Sequence, residues 1–387
     1  TQVGGRVPSS RENWSNIVMQ GAFVSSVGSL AQKERVKLLH AHSSAAYDNF
    51  AFTADQEVAS NINVACAIKS CTHTFTTVTC DIFSEKNGVV LALDGAIEAN
   101  DDHTQAKQAL EMMTIVAERG NIKELDSEAA CKCIDKLLGN HISNKLVCES
   151  GLMAVCSMSR FPENVVRFSQ FGTFFRAVRA AQMHHADAIV AEWALRALRC
   201  FLTLKSNQAK LVAAGLCEIA AVLLDEHCEG NNKSLIECIL RIICNYSDRE
   251  VQDRFSTVGI CETISYKLLA GHNLQSITVN EAVWTLRAVG AISQNNDRNK
   301  QTFAGFNIFQ KMQHLVTIFG IENAVLASAY LHCIGSIAWP NKANQALLTQ
   351  EGVIEVAIRV LHQHMLNANV VEEAMRAIRA IGKNSPQ

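Results

Sequence analysis

Hydrophobic positions in the middle of the chain follow a helical period, and Gly and Asn residues separate the helices. Residues 207–214 predict a short amphipathic helix, and Gly215 then lets the backbone turn where a Cβ would be crowded. Residues 216–226, Leu-Cys-Glu-Ile-Ala-Ala-Val-Leu-Leu-Asp-Glu, predict a second helix, and residues 233–247 predict a third. The pattern therefore predicts a unit of one short, one medium and one long helix.

This unit recurs along the chain with a nearly constant step. A Gly follows the short helix at five places, separated by 43, 44, 46 and 47 residues: Gly172, Gly215, Gly259, Gly305 and Gly352. A basic residue in the third helix recurs after 45, 46, 45 and 44 residues: Arg196, Arg241, Arg287, His332 and Arg376. Two independent markers with one period indicate a repeat protein. Periods of about 40–47 residues are typical of helical solenoids.

Two third-helix segments resemble the armadillo-repeat family. Residues 192–198, Glu-Trp-Ala-Leu-Arg-Ala-Leu, and residues 281–289, Glu-Ala-Val-Trp-Thr-Leu-Arg-Ala-Val, are similar to stretches of importin-α and β-catenin. The resemblance implies an all-α, right-handed superhelical α-solenoid of about seven armadillo repeats. It also implies that the third helices line a concave groove that holds extended peptides.

The step and the resemblance together predict the domain organisation. The predicted repeats are residues 76–118, 119–161, 162–205, 206–248, 249–294, 295–340 and 341–384. Towards the N-terminus the step places Gly88 and Ala130 at the turn between the first and second helices. Residues 1–75 do not follow the step and predict an irregular helical cap, because terminal repeats are commonly atypical.

One departure from the family concerns peptide binding. In importin-α an Asn four residues after the Trp binds the backbone of the peptide. The equivalent residues here are Ala154, Ala197, Ile242, Ala288, Cys333 and Ala377. The missing Asn residues argue against a receptor for nuclear signals.

A file of basic residues with two tryptophans is the predicted partner-binding site. With about 100° per residue, Leu195 and Leu198 lie on the core side of their helix and Arg196 lies beside Trp193, on the side that the resemblance assigns to the groove. The predicted site residues are Trp193, Arg196, Arg241, Trp284, Arg287, His332 and Arg376. Neighbouring repeats lie roughly 10 Å apart. Guanidinium groups at that interval suit the carboxylates or phosphates of an elongated partner.

A second interpretation of the same residues stays open. Glu192, Glu237 and Glu372 each stand four residues before an Arg of the file. Such pairs stabilise an exposed helix by about 0.2–0.5 kcal/mol. The basic file is therefore either a ligand-binding surface or a solvated helix face, and each Trp is either a groove anchor or a partly buried packing residue.

Composition excludes several other functions. The 387 residues include 35 Lys and Arg against 37 Asp and Glu, so the basic excess expected of a nucleic-acid binder is missing. The 14 Cys form no Cys-x-x-Cys pair, which predicts free thiols in a reducing, cytoplasmic environment. The sequence contains no run of 18 apolar residues, so it predicts no membrane span. The sequence has no nucleophile, Zn-protease, phosphate-loop or dinucleotide motif, so we expect no enzyme activity, metal, cofactor or small-molecule substrate.

We therefore expect a non-enzymatic scaffold that binds one or more proteins, acidic or extended in character, along its groove. One alternative is a structural component of a cytoskeletal or ciliary assembly, with a cytoskeleton-associated location. The other is the regulatory arm of a longer multidomain protein, which the Thr at position 1 in place of Met favours.

Overall fold

The computed structural model describes residues 102–118, 127–269, 276–319 and 322–382, and every regular element within these ranges is helical. The expectation of an all-α fold is confirmed. The chain forms two compact units, residues 1–171 and residues 172–387. The predicted cap at 1–75 and the predicted turn at Gly88 lie outside the described residues.

The described part of the first unit contains four helices. They are α1 (His103–Glu118), α2 (Ser127–Asn140), α3 (Lys145–Met158) and α4 (Pro162–Phe171). Helix α1 packs along α3, and α2 packs against α3 and α4. Asn144 begins α3, because its side chain accepts hydrogen bonds from the backbone N–H groups of Leu146 and Val147 at 3.1 and 3.3 Å. Pro162 begins α4, where a missing N–H leaves no helical hydrogen bond unmade.

The prediction of a turn at Ala130 is wrong. Ala130 lies within α2 and is fully buried. Buried residues continue past it at helical spacing, with Ile134 and Leu138 on the same side. This apolar stripe favours one continuous helix across position 130.

The second unit is a succession of short, medium and long helices. They are α5 (Thr173–Met183), α6 (Ala188–Leu202), α7 (Lys205–Ala213), α8 (Leu216–His227), α9 (Lys233–Ile243), α10 (Arg249–Thr257), α11 (Ile260–Thr263, continued by a π-helical turn, Ile264–Leu268), α12 (Val279–Ser293), α13 (Asp297–Gly305), α14 (Ile308–Phe319), α15 (Ala324–Ala338), α16 (Lys342–Gln350), α17 (Val353–Gln363) and α18 (Ala368–Gly382). After the pair α5–α6, the triplets α7–α9, α10–α12, α13–α15 and α16–α18 follow.

The third helices of successive triplets stack on one another. Contacts join α6 to α9, α9 to α12, α12 to α15 and α15 to α18. One leucine position is fully buried in each of the first four of these helices: Leu195, Leu240, Leu286 and Leu331. This continuous core places the same face of every third helix on the same side of the second unit. A total of about seven repeats and a right-handed superhelix stay predictions.

The turn between the first and second helices needs a left-handed backbone residue. Gly172, Gly215, Gly259 and Gly352 have φ between 71° and 97°. In the turn between α13 and α14 the left-handed residue is Asn307, with φ 53°, and Gly305 is the last residue of α13. The predicted turn at Gly305 is therefore displaced by two residues. Asn fills this place because it tolerates the left-handed region better than most residues with a Cβ.

A buried amide in the first helix joins it to the end of the preceding third helix. Four Asn side chains, each at most 1% exposed, donate through Nδ2 to a backbone carbonyl at 3.1–3.4 Å. The pairs are Asn164 with Met158, Asn207 with Phe201, Asn299 with Ile292, and Asn344 with Ile337. Carbonyls in the last turn of a helix lack their usual helical partner four residues on, so the amide supplies a hydrogen bond at the helix end. Each Asn stands eight residues before the left-handed residue of the same repeat. In the third triplet this spacing separates Asn299 from Asn307.

Two glycine substitutions separate backbone strain from crowding. A Cβ added at Gly259 or at Gly305 meets no atom within 4 Å, but only Gly259 has a positive φ. We expect Gly259→Ala to lower the free energy of unfolding by about 1–2 kcal/mol. We expect Gly305→Ala, within a helix, to be neutral or to raise it by about 0.5–1 kcal/mol. Urea denaturation measures both, and equal effects would contradict the turn register.

The buried amides are testable at Asn299, which donates to the carbonyls of Ile292 and Gln252 at 3.1 Å each. Asn299→Ala leaves both buried carbonyls without that donor, so we expect a loss of about 2–3 kcal/mol in the free energy of unfolding. Gln301→Ala, at an exposed position of the same helix, is the control and should change stability by less than about 0.5 kcal/mol. Equal losses for the two variants would show that the amide has no special role.

Candidate functional site

The structure places the predicted site residues on one face of the third helices of the second unit. Leu195 and Leu198 are fully buried, as predicted, whereas Trp193 and Arg196 on the same helix are partly exposed. The seven residues fall into three groups, which we name the first, central and last clusters. The first cluster is Trp193 and Arg196, the central cluster is Arg241, Trp284 and Arg287, and the last cluster is His332 and Arg376.

In the first cluster, Arg196 serves mainly to join two helices. Its Cζ atom lies 4.7 Å from the centre of the Trp193 ring, and its Nη2 atom pairs with Glu192 on the same helix. The same Nη2 donates to Ser234 Oγ on α9 at 3.1 Å, and Ser234 Oγ donates to Glu192 Oε1 at 2.6 Å. The side chains of Glu192 and Arg196 are only 8% and 17% exposed. Most of the guanidinium group is therefore engaged within the helix stack.

The central cluster gathers two guanidinium groups around one indole ring. The Cζ atoms of Arg241 and Arg287 lie 4.5 and 4.6 Å from the centre of the Trp284 ring. Arg241 on α9 also pairs with Glu237, four residues before it. Val283 stands four residues before Arg287, and no carboxylate among the described residues lies within 4.0 Å of the Arg287 guanidinium. Arg287 is the arginine of this file that forms no ion pair with a described residue.

The thiol beside the central cluster adds no negative charge to it. Cys244 lies close to both arginines, but burial raises the pKa of its thiol to about 12, so the thiol is neutral at physiological pH. The Nε atom of Arg241 is buried and has no hydrogen-bond partner among the described residues. Two guanidinium groups and the single carboxylate of Glu237 give this group a net charge of +1.

The last cluster is paired with two carboxylates of α18. Nδ1 of His332 lies 3.2 Å from Glu373 Oε2, and Arg376 lies 2.5 Å from Glu372 and 3.1 Å from Glu373. Two carboxylates thus accompany one guanidinium group and one imidazole. All three Glu–Arg pairs of the alternative interpretation form, at Glu192, Glu237 and Glu372. The basic file is therefore largely paired, and Arg287 is the exception.

The positions that hold Asn in importin-α are fully buried in this protein. Their relative exposure is 0% in every case: Ala154, Ala197, Ile242, Ala288, Cys333 and Ala377. No side chain at these positions reaches the surface where Trp193 and Trp284 lie. The surface beside these helices therefore presents arginine and tryptophan side chains and no amide at these positions.

Two features of the site escaped the sequence interpretation. Arg241 stacks on Trp284 of the next third helix, α12. In α9, Cys238 occupies the position where α6 has Trp193 and α12 has Trp284. This difference in sequence could have indicated that Arg241 contacts a Trp of another helix. The sequence pattern does not indicate the contact of Ser234 with Glu192 and Arg196, because this contact depends on how α6 and α9 stack.

The described residues carry few features of other kinds of site. Within them, no group of three or more His, Cys, Asp or Glu side chains lies close enough to hold a metal ion. Among the same residues, no single helix is long and apolar enough to cross a membrane, and the α7–α8 pair passes that criterion only when joined across a 70° bend. The described cysteines are free thiols. Burial raises the pKa of Cys131, Cys148 and Cys217 to about 12.

Comparison with known proteins finds similarity in structure rather than in sequence. No family model matches the sequence, and no curated protein sequence matches it. A designed armadillo repeat protein in complex with the peptide (KR)4 matches with a TM-score of 0.51 and 16% identity, over 64% of this chain and 99% of that one. A structure of the interaction between cadherin and β-catenin matches with a TM-score of 0.54 and 15% identity, over 81% of this chain and 69% of that one. An engineered protein matches with a TM-score of 0.64 and 16% identity, over 83% and 78% of the two chains.

The chain has an armadillo-like repeat fold. The resemblance drawn from residues 192–198 and 281–289 is confirmed at the level of the fold. In this armadillo-like array the third helices carry the candidate site, and the first helices carry the buried amides that join the repeats.

The different engagement of Arg196 and Arg287 predicts different effects on stability. Arg196→Ala removes the counter-charge of the buried Glu192, so we expect a loss of about 1–3 kcal/mol in the free energy of unfolding. Arg287→Ala removes a ring contact and no ion pair among the described residues, so we expect a loss below about 1 kcal/mol. Urea denaturation of both variants measures the difference. A larger loss for Arg287→Ala would show that Arg287 is a packing residue.

Proposed function

We propose that this protein is a non-enzymatic scaffold that binds an acidic, extended segment of a partner protein at the central cluster. The observation that carries this proposal is the position of Arg287. Its guanidinium group lies against Trp284 and beside Arg241, and no carboxylate among the described residues is within 4.0 Å of it. The first and last clusters, with their carboxylates, would flank this site along the third helices.

The chemistry of the central cluster suits a carboxylate. The planar guanidinium group binds a carboxylate through two parallel hydrogen bonds, and such charge-assisted bonds are about twice as strong as neutral ones. Contact with the Trp284 ring restricts the positions of both arginines, so less side-chain entropy is lost when a ligand binds. The exposed part of the indole offers an apolar surface beside the charges.

The similar structures support a protein or peptide ligand for this fold. One of them is a designed armadillo repeat protein in complex with the basic peptide (KR)4, and another concerns the interaction between cadherin and β-catenin. The central cluster here is itself basic, so charge complementarity favours an acidic segment in this chain. A cytoplasmic location belongs to the proposal. A cytoskeletal or ciliary structural role and a regulatory arm of a longer protein stay alternative hypotheses.

A pair of oppositely charged peptides tests the proposal. We expect fluorescence anisotropy to show at least tenfold tighter binding of an acidic (DE)4 octapeptide than of a (KR)4 octapeptide. The double variant Arg241→Ala, Arg287→Ala should weaken binding of the acidic peptide by more than about 1 kcal/mol, because two charge-assisted contacts are lost. Binding should also weaken between 0.1 M and 1 M salt, as the Debye length falls from about 10 Å to about 3 Å.

The matched control is the double variant Arg249→Ala, Arg359→Ala. It removes the same charge from exposed positions on a first and a second helix. Its affinity for the acidic peptide should stay close to that of the unchanged protein. If the two double variants weaken binding of the acidic peptide equally, the effect comes from net charge alone. That result would contradict a site at Trp284.

A further inference from the structure

The two arginines of the central cluster differ in whether a carboxylate accompanies them. Arg241 pairs through its Nη2 atom with Glu237 on the same helix. No carboxylate among the described residues lies within 4.0 Å of the guanidinium group of Arg287. Both guanidinium groups contact one indole ring, that of Trp284, at 4.5 and 4.6 Å from its centre. The two arginines therefore share a ring and differ in the donors that a ligand can reach.

The pairing with Glu237 uses the part of Arg241 that a ligand carboxylate needs. A guanidinium group binds a carboxylate through two parallel hydrogen bonds, from either Nε and Nη2 or Nη1 and Nη2. Nη2 belongs to both of these edges, and it is the atom that Glu237 contacts. The Nε atom of Arg241 is buried and has no partner among the described residues. A ligand carboxylate therefore reaches two donors of Arg241 only where it displaces Glu237 or shares Nη2 with it.

The pair of Glu237 with Arg241 lies where a ligand can compete for it. The side chains of Arg241 and Glu237 are 33% and 23% exposed. The corresponding side chains of the first cluster are 17% and 8% exposed, and Ser234 Oγ donates to the carboxylate there at 2.6 Å. In the described part of the chain, no hydrogen bond from a neighbouring helix holds Glu237 in the same way. The pair in the central cluster is thus the more accessible of the two.

We propose that Glu237 is an internal competitor for the acidic ligand of the central cluster. The site then has two halves, an open one at Arg287 and one at Arg241 that Glu237 occupies while no ligand is bound. This inference rests on the proposed function and adds to it the residue that limits affinity. The first carboxylate of an acidic segment binds at Arg287, and a second carboxylate gains Arg241 only in exchange for Glu237.

The charge balance of the site explains why Glu237 limits affinity. When a ligand carboxylate replaces Glu237 at Arg241, one ion pair is exchanged for another and Glu237 loses its partner. The two carboxylates also lie near each other, and like charges repel. Arg287 forms no ion pair with a described residue that a ligand has to break. It therefore supplies the larger part of the attraction, and Glu237 sets how much Arg241 adds.

Removal of the Glu237 charge tests the inference. Glu237→Gln keeps the shape of the side chain and leaves Arg241 a neutral acceptor. In fluorescence anisotropy we expect the (DE)4 octapeptide to bind this variant about 5–10-fold more tightly than the unchanged protein, because Nη2 becomes available. Glu355→Gln, at an exposed position of the second helix α17, removes the same charge and is the matched control. Its affinity should stay within about twofold of that of the unchanged protein, because distant surface charges are screened by salt.

A double-mutant cycle separates competition at Arg241 from a general effect of charge. We expect the gain from Glu237→Gln to be about threefold larger in the protein that retains Arg241 than in the Arg241→Ala protein. Without Arg241, the change only removes a repulsion and makes no donor available. Circular dichroism checks that each variant keeps its helix content.

An affinity of the Glu237→Gln protein no higher than that of the Glu355→Gln protein would overturn the inference. An equal gain with and without Arg241 would overturn it as well. In both cases the unchanged protein binds the acidic peptide, so the proposed function stands. If neither the unchanged protein nor the Glu237→Gln protein binds the peptide, the proposed function fails and this inference fails with it.

Discussion

Four junctions between a third helix and the following first helix depend on a buried hydrogen bond to a carbonyl group near the end of the third helix. Stacking buries these carbonyls, and a buried carbonyl without a partner costs about 1–3 kcal/mol. One Asn in the following first helix supplies the hydrogen bond at Met158, Phe201, Ile292 and Ile337. Since the Asn also stands eight residues before the left-handed residue, a single polar contact sets where the first helix packs and where the second helix begins.

The stacking of the third helices shapes the candidate site. Contacts join α6 to α9 and α9 to α12, and Arg196, Arg241 and Arg287 recur along this stack. The same stacking brings Ser234 within reach of Glu192 and Arg196, and Arg241 within reach of Trp284. Most of the basic charge is thereby used between or within helices. Val283 stands in α12 where α6, α9 and α18 have Glu, and Arg287 forms no ion pair with a described residue.

The sequence predicts the period, the third helices and the Glu–Arg pairs, because these follow from spacings within one helix. It fails where a contact between helices decides the outcome. Gly305 is the stronger turn signal, but the turn falls at Asn307 because Asn299 fixes the junction eight residues earlier. The turn predicted at Ala130 is wrong because the apolar stripe of α2 continues through this residue. The contact of Arg241 with Trp284 joins two repeats, so the helical wheel of either helix alone does not reveal it.

Comparison of α6 with α18 shows how much of a residue's environment comes from the next repeat. Their Glu–Arg pairs have the same spacing, yet exposure rises from 8% and 17% in α6 to 60% and 61% in α18. An exposed ion pair contributes about 0–1 kcal/mol, whereas a buried carboxylate depends strongly on its counter-charge. The same motif is therefore a structural junction at Arg196 and a solvated surface at Arg376. The environment of each motif is therefore set by its neighbour, and at Arg287 the neighbouring helices supply no carboxylate among the described residues.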